Sequence, residues 1–292
     1  MNPLVSILMT SYNREKYIGA AIQSVLASTY RNFELIIVDD CSKDKTVEIA
    51  RAYEKKDSRV KLFINEKNLG DYPNRNKAAS YAEGKYIKYV DADDTIYPWG
   101  LEVVVKYMEQ YPEAGYGLDS IEQDPTRPFP ILLGPEQAYE YNYFYKPIFN
   151  KAPTSCIIVR EVFVKHGNFS GKNMVGDIEL WHKLSRSENV LLMPHGIVWS
   201  RLHDEQESKK ARESSLELFK FTMAEVENIR DENCPLSKEK KQVVDRRLSR
   251  SMARSVFRSL LIEKNIKAAR QKMQWAHMSF GSCLVYSLKR NE

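Results

Sequence analysis

The chain up to Gly117 alternates short apolar runs with amphipathic segments. The apolar runs have the length of buried strands, and the amphipathic segments repeat apolar residues at helical spacing, as at Ile18, Ala21 and Ile22. The pattern predicts strands over 4–9, 33–38, 60–64 and 86–90, and helices over 15–27, 46–54, 74–82 and 98–111. Because strands that alternate with helices need crossover connections, the predicted fold class is α/β, with a mainly parallel central sheet flanked by helices.

Beyond Gly117 this alternation breaks. Four prolines predict a loop over 124–135, and the later apolar runs predict further elements. These are a strand over 155–160, a helix over 177–187 and one or two short strands over 190–199. From Glu205 onward the pattern is helical, with Pro235 as the clear interruption. We therefore expect an α/β domain over 1–204, with halves 1–118 and 119–204, and a helical C-terminal extension over 205–292.

Composition and charge narrow the class of protein. The 292 residues suffice for one large domain or two modest ones. A hydrophobic content of 43% and a charged content of 28% fit a globular protein, and they fit poorly with a disordered, collagen-like or integral membrane protein. The net charge of +5 is uneven, because residues 237–292 carry a net charge of +10 and the rest of the chain −5. The chain is thus a slightly acidic body with a basic tail.

The cysteines and the absence of long apolar runs indicate the compartment. Cys41, Cys156, Cys234 and Cys283 are far apart and form no Cys-x-x-Cys pair, which argues against a zinc ribbon and a disulfide scaffold. The run over 4–9 is too short for a secretory signal, and no run reaches the roughly 18 apolar residues of a membrane span. We expect a cytoplasmic protein, and the sequence allows an oligomer.

An acidic Asp-Ala-Asp-Asp run at 91–94 follows the fourth predicted strand. Ligands of a parallel α/β sheet bind beyond the carboxyl ends of its strands, so this run is a candidate site. Three carboxylates within four residues repel one another unless a cation lies between them, and hard oxygen ligands select Mg²⁺ or Mn²⁺. The simpler alternative is a solvated acidic turn that caps the following helix.

The second predicted strand ends in an Asp-Asp pair at 39–40. This pair supports the interpretation of the 91–94 run as a metal or ligand site, because the two strand ends meet at one edge of the sheet. The simpler alternative is again a capping cluster, and we expect Asp40 or Ser42 to cap the following helix in part.

The segments at the four strand ends together resemble a known family. They read Val5-Ser-Ile-Leu-Met-Thr-Ser-Tyr-Asn13, Leu35-Ile-Ile-Val-Asp-Asp-Cys-Ser42, Asn68-Leu-Gly70 and Tyr89-Val-Asp-Ala-Asp-Asp94. Over about 3–118 the sequence is similar to the family 2 glycosyltransferases, with weaker similarity at 176–181 and 201–203. The resemblance implies the GT-A fold and an inverting, metal-dependent transfer of a sugar from a nucleotide donor. It also implies that 1–118 binds the nucleotide-sugar and 119–204 the acceptor.

The resemblance further implies a role for individual residues. Tyr12 would stack on the base, and Asp39 would accept a hydrogen bond from an imide N–H of uracil or its counterpart. Asp93 would hold Mn²⁺ or Mg²⁺ on the diphosphate, and Asp94 would bind the donor sugar. The other residues implied to border the nucleotide are Thr10, Arg14, Asn68, Arg75, Asn76, Asp91 and Ala92. For Arg75 a surface charge on a short helix is the alternative.

The general base would come from the second half of the domain. In the family, an Asp of a Glu-Asp pair starts a helix after the acceptor loop, and Asp177 fits this position although Gly176 replaces the Glu. Glu179 is the alternative base, and Asp177 would otherwise cap its helix. In the late loop, Arg201 would neutralise diphosphate charge and His203 would join the metal site.

Two other enzyme classes and a binding module compete with this interpretation. Asp91 and Asp93 fit the DxDxT motif of haloacid-dehalogenase-like phosphatases, but three strands with ligand-like ends precede them. A nucleotidyltransferase of related fold usually has a Gly-rich basic loop after its first strand, and residues 10–14 contain no glycine. Neither GxGxxG nor a P-loop is present. A degenerate, non-enzymatic site is disfavoured because Asp39, Asp91, Asp93 and Asp177 occur together.

The basic tail predicts an amphipathic helix over 246–261. Leu248, Met252, Val256 and Leu260 recur every four residues, interleaved with Arg246, Arg247, Arg250, Arg254 and Arg258. Such a helix suits an anionic membrane surface, a packed scaffold or a solvated face, and no base-reading motif accompanies it, so we expect no nucleic acid. The resulting hypothesis is a cytoplasmic glycosyltransferase, peripheral at the inner face of the cell membrane. It would use a UDP-sugar and a polysaccharide or lipid-linked acceptor.

Overall fold

The chain divides into two compact units, Met1–Arg201 and Leu202–Glu292. A computed structural model describes residues 2–172, 174–204 and 214–288. The first unit is built on an eight-stranded sheet with a separate two-stranded sheet, and the described part of the second unit is helical.

The first unit follows the predicted alternation of strands and helices. Its strands are β1 (Val5–Ser11), β2 (Phe33–Asp39), β3 (Val60–Ile64), β4 (Tyr86–Tyr89), β5 (Thr95–Ile96), β6 (Ala114–Ile121), β7 (Ile131–Leu133), β8 (Cys156–Val159), β9 (Asn189–Pro194) and β10 (Val198–Trp199). Its helices are α1 (Ile18–Leu26), α2 (Thr46–Glu54), α3 (Asp71–Ser80), α4 (Gly100–Gln110), α5 (Pro135–Glu140), α6 (Arg160–Lys165) and α7 (Gly176–Ser185). A π-helical turn, Tyr141–Tyr145, follows α5, and a 3₁₀ turn, Pro153–Ser155, precedes β8.

The strand order in the main sheet is β3-β2-β1-β4-β8-β6-β9-β7. β1 is parallel to β2 and β4, β2 to β3, and β6 to β9. β8 is antiparallel to both β4 and β6, and β7 is antiparallel to β9. Six strands therefore run in one direction, which confirms the predicted mainly parallel sheet and places the ends of β1, β2 and β4 at one edge.

Helices cover both faces of this sheet, so its central strands are apolar almost throughout. All of β2, and all of β1 except Thr10, is buried. Ile22 of α1 and Val104 of α4 join a core with alternate residues of β1, while α3 packs against β1 and β2. Strands buried on both sides lose the period of two that marks a half-exposed strand, which is why they appear as continuous apolar runs.

Three strands differ from the prediction. β5 and β6 were not predicted, and β7 lies inside the predicted loop over 124–135. β7 pairs with the edge of β9, with Ile131 opposite Leu192. Three residues carry too little local pattern to predict a strand, so the pairing with β9 decides the conformation.

The second unit is a helical cluster. Its described helices are α8 (Ser215–Arg230), α9 (Lys238–Leu261), α10 (Ile266–Trp275) and α11 (Phe280–Leu288). Turns at 262–265 and 276–279 interrupt the pattern in addition to Pro235, and the predicted helical stretch over 205–213 lies outside the described residues. Within the described ranges, no helix is both long and apolar enough to span a bilayer.

One face of each helix supplies the core of the second unit. Met252 and Val256 of α9 pack with Phe219 of α8, Ala269 of α10 and Cys283 of α11. The apolar stripe predicted for 246–261 therefore packs mainly against the other helices of this unit. The interleaved arginines are exposed or half-buried.

Candidate active site

Three carboxylates meet directly after β4. One oxygen from each of Asp91, Asp93 and Asp94 lies within 4.8 Å of the others. Burial and the charges of Asp91 and Asp93 raise the pKa of Asp94 to about 7. Burial also raises the pKa of Asp91, against the opposing effect of the Arg75 guanidinium. Bringing three carboxylates together in this way is the arrangement in which oxygen ligands can hold a divalent cation.

Two arginines from different elements neutralise part of this cluster. Arg14, in the loop after β1, donates from Nε to Asp93 Oδ2 at 3.1 Å. Arg75, buried on α3, donates to Asp91 Oδ1 at 2.7 Å and to Asp71 Oδ1 at 2.8 Å. The structure thus brings Arg14 and Arg75 to the acidic run, although 79 and 16 positions separate the paired residues.

Arg201 reaches the same cluster through the small sheet. β10 pairs with β5, so Trp199 lies opposite Thr95, one residue after the acidic run. The backbone N–H of Arg201 donates to Asp94 Oδ1 at 2.9 Å, and its Nε donates to the carbonyl of Asp93 at 3.0 Å. A third guanidinium therefore lies beside the carboxylates.

Asp39 ends β2 with its carboxylate fully buried. It accepts hydrogen bonds from Ser11 Oγ at 2.9 Å, from Ser42 Oγ at 2.6 Å and from the Ser42 N–H at 2.8 Å. These three donors leave one lone pair of the carboxylate for a further donor. The predicted contact between Asp39 and the base stays a prediction.

Asp40 holds the loop before α3, and the expectation that it caps a helix is wrong. Its carboxylate accepts from the N–H groups of Leu69 and Gly70, both at 2.9 Å, and from Asn65 Nδ2 at 2.8 Å. Gly70 has a φ of +88°, which glycine adopts readily. Asn68 Oδ1 also accepts from the Gly70 N–H at 3.0 Å, so Asn68 lies in this turn.

Ser42 does not cap α2 either. Its side chain bonds to Asp39 and accepts the N–H of Asn13 at 2.8 Å. The first turn of α2 instead uses Asp44, whose Oδ1 accepts from the Thr46 N–H at 3.0 Å. Ser42 therefore links the loops after β1 and β2, which fixes the edge where Tyr12 and Arg14 lie.

The other residues implied to border the nucleotide occupy different settings. Tyr12 is exposed and Thr10 half-buried at the end of β1, whereas Ala92 is buried within the acidic run. Asn76 is engaged elsewhere, because its side chain donates to the carbonyl of Phe169 at 2.9 Å and accepts from its N–H at 3.1 Å. The structure thus pairs Arg75 with the cluster and gives Asn76 a link to the loop before α7.

Asp177 lies in the first turn of α7. Its Oδ1 accepts from the Ile178 N–H at 2.8 Å, and its carboxylate interacts with the hydroxyl of Tyr72 and the charge of Arg75. Burial raises the pKa of Asp177 to about 6, against the lowering effect of these three groups. A carboxylate that titrates near neutral pH is suited to general-base catalysis.

Glu179, the alternative base, is held in an ion pair. Lys172 Nζ lies 2.5 Å from Glu179 Oε1, and Ser170 Oγ donates to the other oxygen. Both oxygens of Glu179 thus have donors already, whereas Asp177 lies beside Arg75, which binds the acidic cluster. The geometry favours Asp177.

Tyr72 explains why glycine stands before Asp177. A Cβ added at Gly176 would lie 2.8 Å from Tyr72 Cδ2, and Tyr72 is itself buried against Phe169 with ring centroids 5.0 Å apart. The ring therefore fills the space in which a Glu side chain would begin. Sequence reasoning missed Tyr72 and Asp71, although Asp71 and Arg75 have the i,i+4 spacing of a helical ion pair.

His203 belongs to the second unit. Its predicted role as a metal ligand stays a prediction.

The sequence also matches a model of a known protein family. Glycosyl transferase family 2 matches residues 6–167, more than half of the chain. The chain belongs to this family. Membership decides against the phosphatase and nucleotidyltransferase alternatives, and it agrees with the motifs at the ends of β1, β2 and β4.

Relatives and solved structures support the same family and fold. The chain is 45% identical over 105 residues to the Escherichia coli UDP-Glc:alpha-D-GlcNAc-diphosphoundecaprenol beta-1,3-glucosyltransferase WfgD, covering 36% of this chain and 41% of WfgD. Staphylococcus aureus TarS 1–349, solved with UDP-GlcNAc, superposes with a TM-score of 0.70 at 19% identity, covering 93% of this chain and 81% of that one. The mannosyltransferase PcManGT of Pyrobaculum calidifontis, solved with GDP-Man and Mn²⁺, gives 0.65 at 16% identity, covering 99% and 87%.

These likenesses confirm the GT-A fold. The chain spans only part of the length of its curated relatives: 38% of a Methanocaldococcus jannaschii glycosyltransferase and 68% of one from Haemophilus influenzae.

Proposed function

We propose that this protein transfers a sugar from a nucleotide-diphosphate donor, a UDP-sugar, to a hydroxyl of a saccharide acceptor with inversion at the anomeric carbon. The observation that carries the proposal is the meeting of Asp91, Asp93 and Asp94 with three arginines at one edge of the sheet. A nucleotide diphosphate bound to a divalent cation presents both signs of charge. A site with carboxylates and guanidinium groups side by side is complementary to it.

The donor half of the proposal lies in residues 1–118. Tyr12 is exposed at the end of β1, where its ring can stack on a base. Asp39 ends the neighbouring strand and would accept a hydrogen bond from a base N–H. Arg14 bonds to the side chain of Asp93 and Arg201 to its carbonyl, and both would contact the diphosphate. WfgD uses UDP-Glc and TarS binds UDP-GlcNAc, which supports uridine as the base.

The residues at the acidic run fit a divalent cation. Their ligand atoms are all carboxylate oxygens within 4.8 Å of one another, the donor set that Mg²⁺ and Mn²⁺ prefer. Asp93 would hold the ion, with Asp91 and Asp94 beside it. When bound, the ion neutralises charge on the leaving diphosphate. The Mn²⁺ in PcManGT supports Mn²⁺ as the metal.

Asp177 would act as the general base in the acceptor half, residues 119–204. Its carboxylate takes the proton of the acceptor hydroxyl while the oxygen attacks the anomeric carbon and the bond to the diphosphate breaks. A single displacement of this kind inverts the configuration. The pKa of about 6 leaves Asp177 ionised at pH 7 yet basic enough to accept a proton.

The acceptor is a polysaccharide or lipid-linked saccharide, and the protein works at the cytoplasmic face of the membrane. The acceptor named for WfgD, a diphosphoundecaprenol-linked sugar, supports the lipid-linked class. The basic residues over 237–292 would favour an anionic surface.

A donor panel tests this function without knowledge of the acceptor. UDP-, GDP-, dTDP- and CMP-sugars are added to the full-length protein with MnCl₂ or with EDTA, and the melting temperature is measured. Because a ligand that binds the folded state stabilises it by mass action, UDP-sugars should raise the melting temperature with Mn²⁺ and not with EDTA. The best donor then enters a transfer assay in which NMR reports the anomeric configuration of the product.

Two variants make the panel specific. Tyr12→Ala should weaken stabilisation by UDP itself, whereas Tyr145→Ala, which removes a similarly exposed tyrosine from the turn after α5, should leave it intact. Stabilisation by none of the nucleotide-sugars with metal, or a product of retained configuration, would contradict the proposal.

A further inference from the structure

The turn between α9 and α10 exposes three large aliphatic side chains. Leu261 and Ile262 are each 74% exposed and Ile266 is 58% exposed. They lie in a run of seven consecutive exposed residues, 261–267. Single exposed aliphatic residues are ordinary, but three around one turn form an apolar tip of the kind that marks an interaction surface. We call residues 261–267 the tip.

Basic residues surround the tip. Lys264 and Lys267 lie within it, and Arg258 and Arg270 lie one turn away on α9 and α10; all four are exposed. The single acid of the tip, Glu263, is held by its own unit. Its carboxylate accepts from Ser259 Oγ at 2.9 Å and Ser215 Oγ at 3.0 Å, and it lies 3.4 Å from Arg258 Nε. The charge offered at this end of the helices is therefore mainly positive.

The tip is fixed by hydrogen bonds. Lys264 has a φ of +49°, and the N–H of Asn265 donates to the carbonyl of Ser259 at 2.8 Å. The Asn265 side chain caps α10 by accepting from the Ala268 N–H at 2.9 Å. The aliphatic side chains are thus presented in one arrangement, with little ordering left to occur on binding.

The apolar stripe on α9 that the sequence offered for membrane contact is mostly occupied. Met252 and Val256 are buried in the core of the second unit, and Leu248 and Leu260 pack against it. A membrane contact through this stripe would require the helices to separate. Leu261, Ile262 and Ile266 of the tip are exposed aliphatic groups that this packing leaves available next to basic residues.

We propose that the tip docks on an anionic lipid surface. Leu261, Ile262 and Ile266 enter the boundary between headgroups and acyl chains, and the basic residues contact the anionic headgroups. Charge complementarity selects this occupant, because residues 237–292 carry a net charge of +10 and would repel the same segment of a second copy. Aliphatic groups ringed by basic residues are the pattern by which proteins bind the membrane interface.

Vesicle sedimentation of the full-length protein tests the proposal. The probes are vesicles of phosphatidylcholine alone and of phosphatidylcholine mixed with phosphatidylglycerol, each at low and high salt. We expect sedimentation with the anionic vesicles, reduced by salt. The variant Leu261→Ser/Ile262→Ser/Ile266→Ser should bind at least about tenfold more weakly, because the affinity for the interface scales with the apolar area that is buried there. Lys264→Glu/Lys267→Glu/Arg270→Glu should abolish the preference for anionic lipid.

The matched control removes equally many exposed aliphatic groups elsewhere. Val164→Ser/Leu218→Ser/Val243→Ser alters side chains that are 43–58% exposed, and it should sediment like the wild type. Stabilisation of each variant by donor and metal reports an intact first unit, so a failure of the proposed function is seen separately from a failure of docking.

Three results would overturn the proposal. In the first, the wild type does not bind anionic vesicles. In the second, the wild type and the Leu261→Ser/Ile262→Ser/Ile266→Ser variant bind them equally. In the third, light scattering shows that the wild type is a dimer and this variant a monomer. The last would make the tip an interface between copies of this chain.

Discussion

Replacing Asp177 by Asn should lower turnover and raise stability at the same time. The ordinary pKa of an aspartate is 3.8, and burial raises that of Asp177 to about 6. The unfolded chain therefore releases this proton at lower pH than the folded chain. Keeping Asp177 ionised in the fold costs about 1.36 kcal/mol for each pKa unit, or at most about 3 kcal/mol above pH 6. Asn carries no such cost and can still accept from the Ile178 N–H.

The sign of the effect sets the pH window. Below about pH 4 both states hold the proton, so wild type and Asp177→Asn should have similar stability. Between about pH 4 and 6 the wild type loses stability relative to the variant, and above pH 6 the difference is constant. We expect a gain of about 1–3 kcal/mol at pH 7.5, which is a rise of about 2–10 °C in melting temperature for a unit of this size.

The assays are a pH series of thermal denaturation and a transfer assay at saturating donor. Loss of a general base typically costs a factor of about 10²–10⁴ in turnover, and donor affinity should hardly change. Glu179→Gln is the control, because it alters a paired carboxylate two residues away and should leave turnover nearly normal. In the wild type, turnover should fall as pH drops through about 6.

Two outcomes would refute the reasoning. If Asp177→Asn is no more stable than wild type at pH 7.5, burial of the ionised Asp177 carboxylate does not destabilise the folded protein. If Asp177→Asn turns over normally while Glu179→Gln does not, the base lies two residues further along α7.

Three further predictions address the metal, the core and the glycine. Asp93→Ala should abolish transfer and the Mn²⁺-dependent part of UDP binding while leaving the fold intact. Calorimetry of UDP binding with and without Mn²⁺ checks this. If the variant binds UDP with an unchanged dependence on Mn²⁺, the metal does not lie at Asp93. Lys88 and Asp119 form a fully buried ion pair at 2.7 Å, so Lys88→Met should lower the free energy of unfolding by about 3–5 kcal/mol in urea, and adding Asp119→Leu should restore much of it. Gly176→Glu should destabilise the protein through its clash with the Tyr72 ring, and Tyr72→Ala in the same chain should relieve part of that loss in melting temperature.

Strands β1, β2 and β4 of the donor half were predictable because they are buried on both faces and therefore consist mainly of apolar residues. Polar residues follow shortly after the end of each strand. The acidic run at 91–94 was predictable for the same reason, since it follows such a strand directly. Local sequence also determined α2 and β3, which have the bounds that were predicted.

Tertiary structure alone decided which groups meet at the site. Arg14 pairs with Asp93 across 79 positions and Arg201 with Asp94 across 107, and no periodicity encodes such a contact. These pairs follow from strand order: β1 lies beside β4, and β10 returns to pair with β5.

Packing also decided which contacts some side chains make, where the sequence allowed more than one. Asp40 was expected to cap a helix and instead holds the turn at Gly70, because the buried end of β2 faces that loop. The apolar stripe of α9 faces three other helices. Packing within the unit removes the stripe from water, so no partner molecule is needed to bury it. The sequence by itself determined where the strands and the acidic chemistry lie, whereas the order of the strands determined which charges meet, because pairing between distant segments depends on the whole fold.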